Sequence, residues 1–362
     1  MLLRVWKKLQ MQFTQTLLKN NRIKIALLVM PIIAILTILI GVSIGSSRIS
    51  FTDIIRVILE KNFSKYDSSM SPAIVTIIWQ IRLPRVILAF LAGAALSASG
   101  AVVQSVLRNP LASPFTLGVS SGASLGAAIV IVFATSVTFI STLSLPLLGF
   151  IFGFITVIIS LIFASRVERN LEGNTIVLCG MVLSMFINSV FMIISGMSGD
   201  KMQQIIKWQM GSFASKGWSS NIILFIVTFI GICLLLFFSK ELDIMTFGEN
   251  DAMTIGVQTK KVKWIVLLIA SAMTGVTVAF SGVIGFVDLV APHIIRKSIT
   301  SKHKYVVFLS ALLGGIIMTL ADLIARTVIA PRELPVGAIT AIIGAPFFSY
   351  IFLKRRKKNA WS

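Results

Sequence analysis

Arg82-Leu-Pro-Arg85-Val-Ile-Leu-Ala-Phe-Leu-Ala-Gly93-Ala-Ala-Leu-Ser-Ala-Ser99-Gly100-Ala-Val-Val-Gln104-Ser-Val-Leu-Arg-Asn109-Pro110-Leu-Ala-Ser-Pro114-Phe-Thr-Leu-Gly118 decides the fold of this chain. Two arginines flank a proline. An apolar run long enough to cross a bilayer follows, and a polar turn with two prolines ends it. A lipid-facing anchor needs only Leu, Ile and Val. A run this rich in Gly, Ala and Ser packs closely against other helices instead, so the stretch points to a working membrane protein.

The rest of the composition agrees. Of 362 residues, 56% are hydrophobic and 13% charged, whereas soluble domains carry about 25% charged residues. The mean hydropathy is +0.94. Ten apolar segments are expected to span, at about 25–45, 83–107, 115–133, 140–165, 174–195, 219–239, 263–281, 284–297, 305–328 and 336–353. Pro292 makes the eighth a broken or partial helix. The basic N-terminus followed by a long apolar run reads as an uncleaved first helix. The expected organisation is therefore an N-terminal segment 1–24, one transmembrane domain 25–353 and a basic tail 354–362.

The net charge of +20 does not indicate nucleic acid. The basic residues sit between apolar runs, as cytoplasmic loops require. With the N-terminus inside, 22 of the 33 Lys and Arg fall in inside segments, including Lys354-Arg355-Arg356-Lys357-Lys358. Both termini are then cytoplasmic, and Arg82, Arg85, Arg326 and Arg332 lie outside. The outer segment 49–59 has the spacing of an interfacial amphipathic helix. Cys179 and Cys233 lie in apolar segments, where neither a disulfide nor a metal site is expected.

An internal repeat is visible. Gly93, Ser99 and Gly100 match Gly275, Ser281 and Gly282, and Pro110 matches Pro292. The second copy lies five spans later, an odd number, so it runs the opposite way. Inverted repeats with interrupted helices are a transporter design; helix packing alone would also repeat small residues.

No P-loop, nucleophile elbow or His-Glu-x-x-His occurs. No catalytic residue, metal site or bound cofactor is expected. Acids within spans are sparse. Asp322 has Arg326 one turn later, an ion pair at helical spacing, and Asp288 has no assigned role. So few buried ionisable groups argue against an ion-driven pathway. The inside loop 240–262 holds Gly248, acids at Glu249 and Asp251, and Gly256. It reads as a short helix with acids at its positive end and a glycine cap. Docking element and solvated connector are equally compatible with it.

The motifs Arg82-Leu83-Pro84-Arg85, Asn109-Pro110-Leu111-Ala112, Leu117-Gly118-Val119-Ser120, Gly248…Ala252…Gly256, Ser281-Gly282…Gly285-Phe286, Ala291-Pro292-His293, Asp322…Arg326 and Glu333-Leu334-Pro335-Val336-Gly337…Gly344-Ala345-Pro346-Phe347-Phe348 resemble the permease subunits of iron-siderophore, haem and cobalamin ABC importers. The resemblance covers nearly the whole chain. It implies an all-α, ten-helix type II importer permease in the bacterial cytoplasmic membrane, with no nucleic-acid partner. It implies a homo- or heterodimer of permeases, two cytoplasmic ATPase subunits carrying ATP and Mg, and an extracytoplasmic binding protein. Gly248, Glu249, Asp251, Ala252 and Gly256 would dock the ATPase. Arg82, Arg85 and Arg326 would face outward and pair with acids of the binding protein. Gly173, Asn174 and Thr175 would form the cytoplasmic gate, although this sequence departs there from the small hydroxyl residues usual in the family. A ferric siderophore is the expected cargo, with haem or cobalamin as alternatives and ion-driven secondary transport as the competing mechanism.

Overall fold

The structure, a computed structural model, describes residues 2–45, 49–63, 71–133, 141–168 and 170–359. The side chains of 2–20, 61–63, 141–144 and 350–359, including the basic tail Lys354–Lys358, lie outside the described residues. Described elements are helical. The spanning elements are α1 (Leu2–Ser43), α4 (Leu83–Val106), α5 (Val119–Phe133), α6 (Ser141–Val167), α7 (Gly173–Gly196), α9 (Trp218–Phe237), α12 (Thr259–Ser281), α13 (Val287–Ser298), α14 (His303–Thr327) and α15 (Val336–Asn359). Each expected apolar segment coincides with one of them. Seven are long and apolar enough to cross a membrane; α5 and the start of α15 are shorter apolar helices, and α13 has only 12 residues. Between them lie α2 (Phe51–Phe63), α3 (Pro72–Thr76), α8 (Met202–Gln209), α10 (Ser239–Met245) and α11 (Glu249–Thr254). The amphipathic helix expected at 49–59 is α2.

Of the seven long spans the most enclosed are those containing α4, α12 and α14. A Cβ on Gly93 of α4 would overlap the Gly314 carbonyl of α14 and stand 2.6 Å from Met318 Cβ. The backbones touch because neither residue has a side chain. The outer helices α1, α7 and α9 are mostly exposed, and the side chains they expose are mainly large and apolar.

The repeat is visible as pairing. Helix α4 packs on α13 and α14, and α12 packs on α5 and α6; α13 lies on α14 as α5 lies on α6. Gly275 of α12 meets the Phe150 ring of α6 as Gly93 meets α14. The second glycines differ. Gly100 sits inside α4 against the Asp288 backbone, while Gly282 ends α12 with φ +77°.

One boundary differs from expectation. The second span does not begin at 83 but runs from Pro72 to Val106, through a wide π turn at Ile77–Arg82. Leu83 N–H bonds back to Ile78. The widened turn sits immediately before Pro84, whose missing N–H and bulky ring a regular turn could not take. Arg82 and Arg85 are therefore inside a long helix, and the run of polar residues that suggested a loop end is its buried middle turn.

Candidate functional site

Two clusters lie at opposite ends of α4, about 36 Å apart by helix rise. The first is built around α11. Gly248 precedes it with φ +154°, a value few side chains tolerate. Ala252 is fully buried beneath it. Gly256, at φ +96°, closes it: Val257 N–H bonds to Ala252 O at 2.9 Å and Gly256 N–H to Met253 O at 3.0 Å, the Schellman arrangement. The short capped helix read from the sequence is present.

This helix stands across a cleft of about 590 Å³ whose lining includes Arg108, Asn170, Glu172, Gly173, Asn174, Gly248, Glu249 and Asp251. Gly173 and Asn174 of the expected gate thus share one cleft with Gly248, Glu249 and Asp251 of the expected docking loop, while Thr175, Ala252 and Gly256 are not in its lining. Gly173 starts α7 against the backbone of Leu107, where a Cβ would come within 2.5 Å of the Leu107 carbonyl. Thr175 Oγ1 donates to Glu168 Oε2 at 2.5 Å. Arg108 Nη2 donates to Met245 O at 2.8 Å, fastening the end of α4 to α10.

Glu249 is not the free docking acid expected. Its Oε2 lies 2.6 Å from Lys263 Nζ, and the Lys263 side chain is wholly buried. A lysine one turn into an apolar helix needs a carboxylate to remain charged without water, and Glu249 is that carboxylate. Beside the exposed Asn250, Asp251 and Thr254, α11 and its flanks expose large apolar side chains: Phe247 is 84% exposed, Ile255 71% and Met253 46%. Charge drew attention to the acids; the apolar residues were hidden among the apolar residues of the whole chain.

The second cluster holds the three arginines. The sequence reading made them exposed guanidiniums; all three are enclosed. Arg85 pairs with Asp322 through Nε and Nη2, at 3.0 and 2.9 Å to Oδ1. It also pairs bidentately with Glu333, at 2.6 and 3.1 Å. Asp322 is 1% exposed. Its i,i+4 contact with Arg326 is longer, 3.6 Å, so Arg85 and not Arg326 is its main partner. Arg82 Nη1 donates to Val42 O and Ser43 O at 3.0 Å each, and Arg326 Nη2 donates to Gly41 O. These are carbonyls of the last turn of α1, which lack intrahelical partners, and cations suit a helix C-terminus. The arginines are buried because an intramembrane acid and a bare helix end both require them. Arg332 and Glu333 form the exposed rim.

Asp288 is 1% exposed, at the start of α13. Ser113 Oγ donates to its Oδ2, and Gln104 Nε2 donates to its backbone carbonyl at 3.3 Å. It ties the re-entrant turn before α5 to α13.

Comparison with known proteins fits this geometry. The profile of the FecCD transport family matches residues 33–354. The chain is 39% identical over 346 residues to the uncharacterized ABC transporter permease protein YvrB of Bacillus subtilis, covering 95% of this chain and 98% of that one. It is 34% identical over 351 residues to the Fe(3+)-citrate import system permease protein YfmE of the same organism, covering 95% and 99%. A solved structure described as a metal-chelate type ABC transporter in an inward-facing conformation superposes with TM-score 0.79 at 29% identity, over 91% of this chain and 99% of that one.

Proposed function

This chain belongs to the FecCD transport family, and on that premise we propose that it carries a ferric siderophore inward, driven by ATP hydrolysed on a separate subunit. It is a multi-pass ABC importer permease of the metal-chelate type, a non-catalytic component. The observation that carries the coupling is the shared cleft: α11 lines it together with Gly173 and Asn174 at the start of α7. A partner that moves α11 acts next to the constriction.

In this reading the α11 end faces the cytoplasm, as the charge distribution favours, and two ATPase subunits grip it there. Phe247, Met253 and Ile255 supply the contact, with Asp251 at its edge. A buried aromatic anchor among apolar neighbours is the usual centre of such an interface. The Arg85 end faces outward and receives the binding protein at the rim of Arg332 and Glu333. Arg82, Arg85 and Arg326 hold the platform beneath. A second permease packs beside α7, whose Met185, Phe186, Met192 and Met197 are exposed. The transmembrane domain comprises residues 25–353 in a bacterial cytoplasmic membrane. A ferric chelate is favoured over haem or cobalamin because the permease named for Fe(3+)-citrate matches over the full length.

The docking surface is tested by Phe247→Asp combined with Ile255→Asp. Both positions are exposed, so the permease stays folded. ATPase co-purifying with it is expected to fall at least about tenfold, as for loss of two hot-spot anchors. Undiminished co-purification places the interface elsewhere.

A further inference from the structure

The buried ammonium of Lys263 joins three segments: its own helix α12, α11 and the connection between α6 and α7. Its Nζ lies 2.6 Å from Glu249 Oε2 on α11, 2.8 Å from Leu171 O and 3.0 Å from Asn170 O. Those two carbonyls belong to the short connection between α6 and α7. A lysine has three N–H donors and no acceptor, so every proton is used. None reaches water, since the side chain is 0% exposed.

The connection is constrained on its other sides as well. Leu171 is fully buried and held at φ +51°, a left-handed conformation unusual for a side chain of its kind. Glu168, at the far end of the connection, accepts the Thr175 hydroxyl. Gly173 is pressed on the Leu107 backbone. Residues 170–175 are therefore held together, with Glu168 tied to Thr175, and Lys263 is their link to α11. Moving α11 alone would leave the buried ammonium without its carboxylate, which is strongly unfavourable. Moving α11 with the connection keeps all three bonds.

We infer that Lys263 is a positioning residue that binds α11 to the connection before α7, so that displacement of α11 is delivered to Gly173, Asn174 and Thr175 as a rigid unit. This rests on the reading of α11 as the ATPase contact. It also gives Glu249 a different task from docking: it is the internal end of the link.

The test uses the complete permease–ATPase complex in membranes, with Cys179 and Cys233 replaced by Ser and a reporter Asn174→Cys. The readout is the labelling rate of that thiol by a water-soluble maleimide, with and without ATP plus vanadate. With Lys263 present, nucleotide is expected to change the rate several-fold, on the order of tenfold. Lys263→Met should abolish that change while ATPase co-purification and ATP hydrolysis stay within about twofold of the parent. Lys263→Arg, whose guanidinium can still donate to all three acceptors, should retain it. The exchange Glu249→Lys with Lys263→Glu restores opposite charges, but a carboxylate cannot donate to the Asn170 and Leu171 carbonyls. It should therefore remain unresponsive, which separates the three-way link from simple ion pairing. Should Lys263→Met fail to assemble, Glu249→Gln carries the test, with a response reduced about threefold because the charge-assisted bond is lost. A full response in Lys263→Met, or in Glu249→Gln, overturns the inference, as does restoration by the exchange. A parent complex that binds the ATPase but never responds to nucleotide overturns the coupling reading itself.

Discussion

Arg85→Ala should destabilise the folded permease by about 3–5 kcal/mol, the range for breaking a buried ion pair by removing one partner. The size follows from what is left behind. Asp322 is 1% exposed and would keep only the 3.6 Å contact with Arg326. Glu333, which is 41% exposed along its side chain, can turn to water and adds little. The loss should appear as a large drop in melting temperature in detergent and in low yield of monodisperse protein. Arg85→Met with Asp322→Leu should recover much of it, because no uncompensated charge then remains. Arg85→Lys should fall between, since a point charge cannot hold two carboxylates bidentately. A single Arg85→Ala as stable as the parent would mean that the pair is solvated and the cluster is not a structural platform.

Gly93→Val should have a comparable or larger effect. The first added carbon already overlaps the Gly314 carbonyl, and Gly314 in turn has no room for one, being pressed against Gly93 O and Ser97. Overpacking a close-packed core costs about 1–3 kcal/mol where the neighbours can shift. Here the obstacle is backbone of a helix that is itself enclosed, so the cost should exceed that range. Gly275→Val, at the matching position of the repeat, faces the edge of Phe150 at 3.3 Å. An aromatic ring can rotate or tilt, and this variant should be markedly milder. The comparison of the two melting temperatures measures how far the two halves of the repeat have diverged; equal losses would contradict the reading that Gly93 faces unyielding backbone and Gly275 a movable ring.

The helices were legible because each apolar run is long and each boundary carries a polar or glycine-rich signal. The span of α4 stood out by its small residues and α12 by its repeat of Gly93, Ser99 and Gly100, and both are helices that the fold encloses. The repeat was legible at Gly93 and Gly275, where helix crossings demand a missing side chain. It was misleading at Gly282, where the same residue type serves to end a helix.

Side-chain exposure was not legible for the charged residues. Arg85 is expected to face water by its type. Its burial depends on Asp322 and Glu333, more than 230 positions away, and no local pattern in the sequence announces that meeting. Glu249 presents the same case on a smaller scale. Its partner Lys263 lies 14 residues on, across the turn that separates α11 from α12, and helical periodicity does not connect them. Gly173 with Asn174 and Gly248 with Glu249 and Asp251 were singled out separately; that they line one cleft is a property of the packing and not of any local sequence pattern.

Reconstitution decides the central claim, that this permease imports a ferric chelate at the expense of ATP hydrolysed by its partner. Liposomes containing the permease and its ATPase are loaded with ATP and Mg, and given the binding protein and a radioiron-labelled hydroxamate siderophore outside. The account predicts accumulation that requires internal ATP, stops when ATP is replaced by a non-hydrolysable analogue, and is indifferent to ionophores. Uptake that persists without ATP and collapses when an ion gradient is dissipated would contradict it.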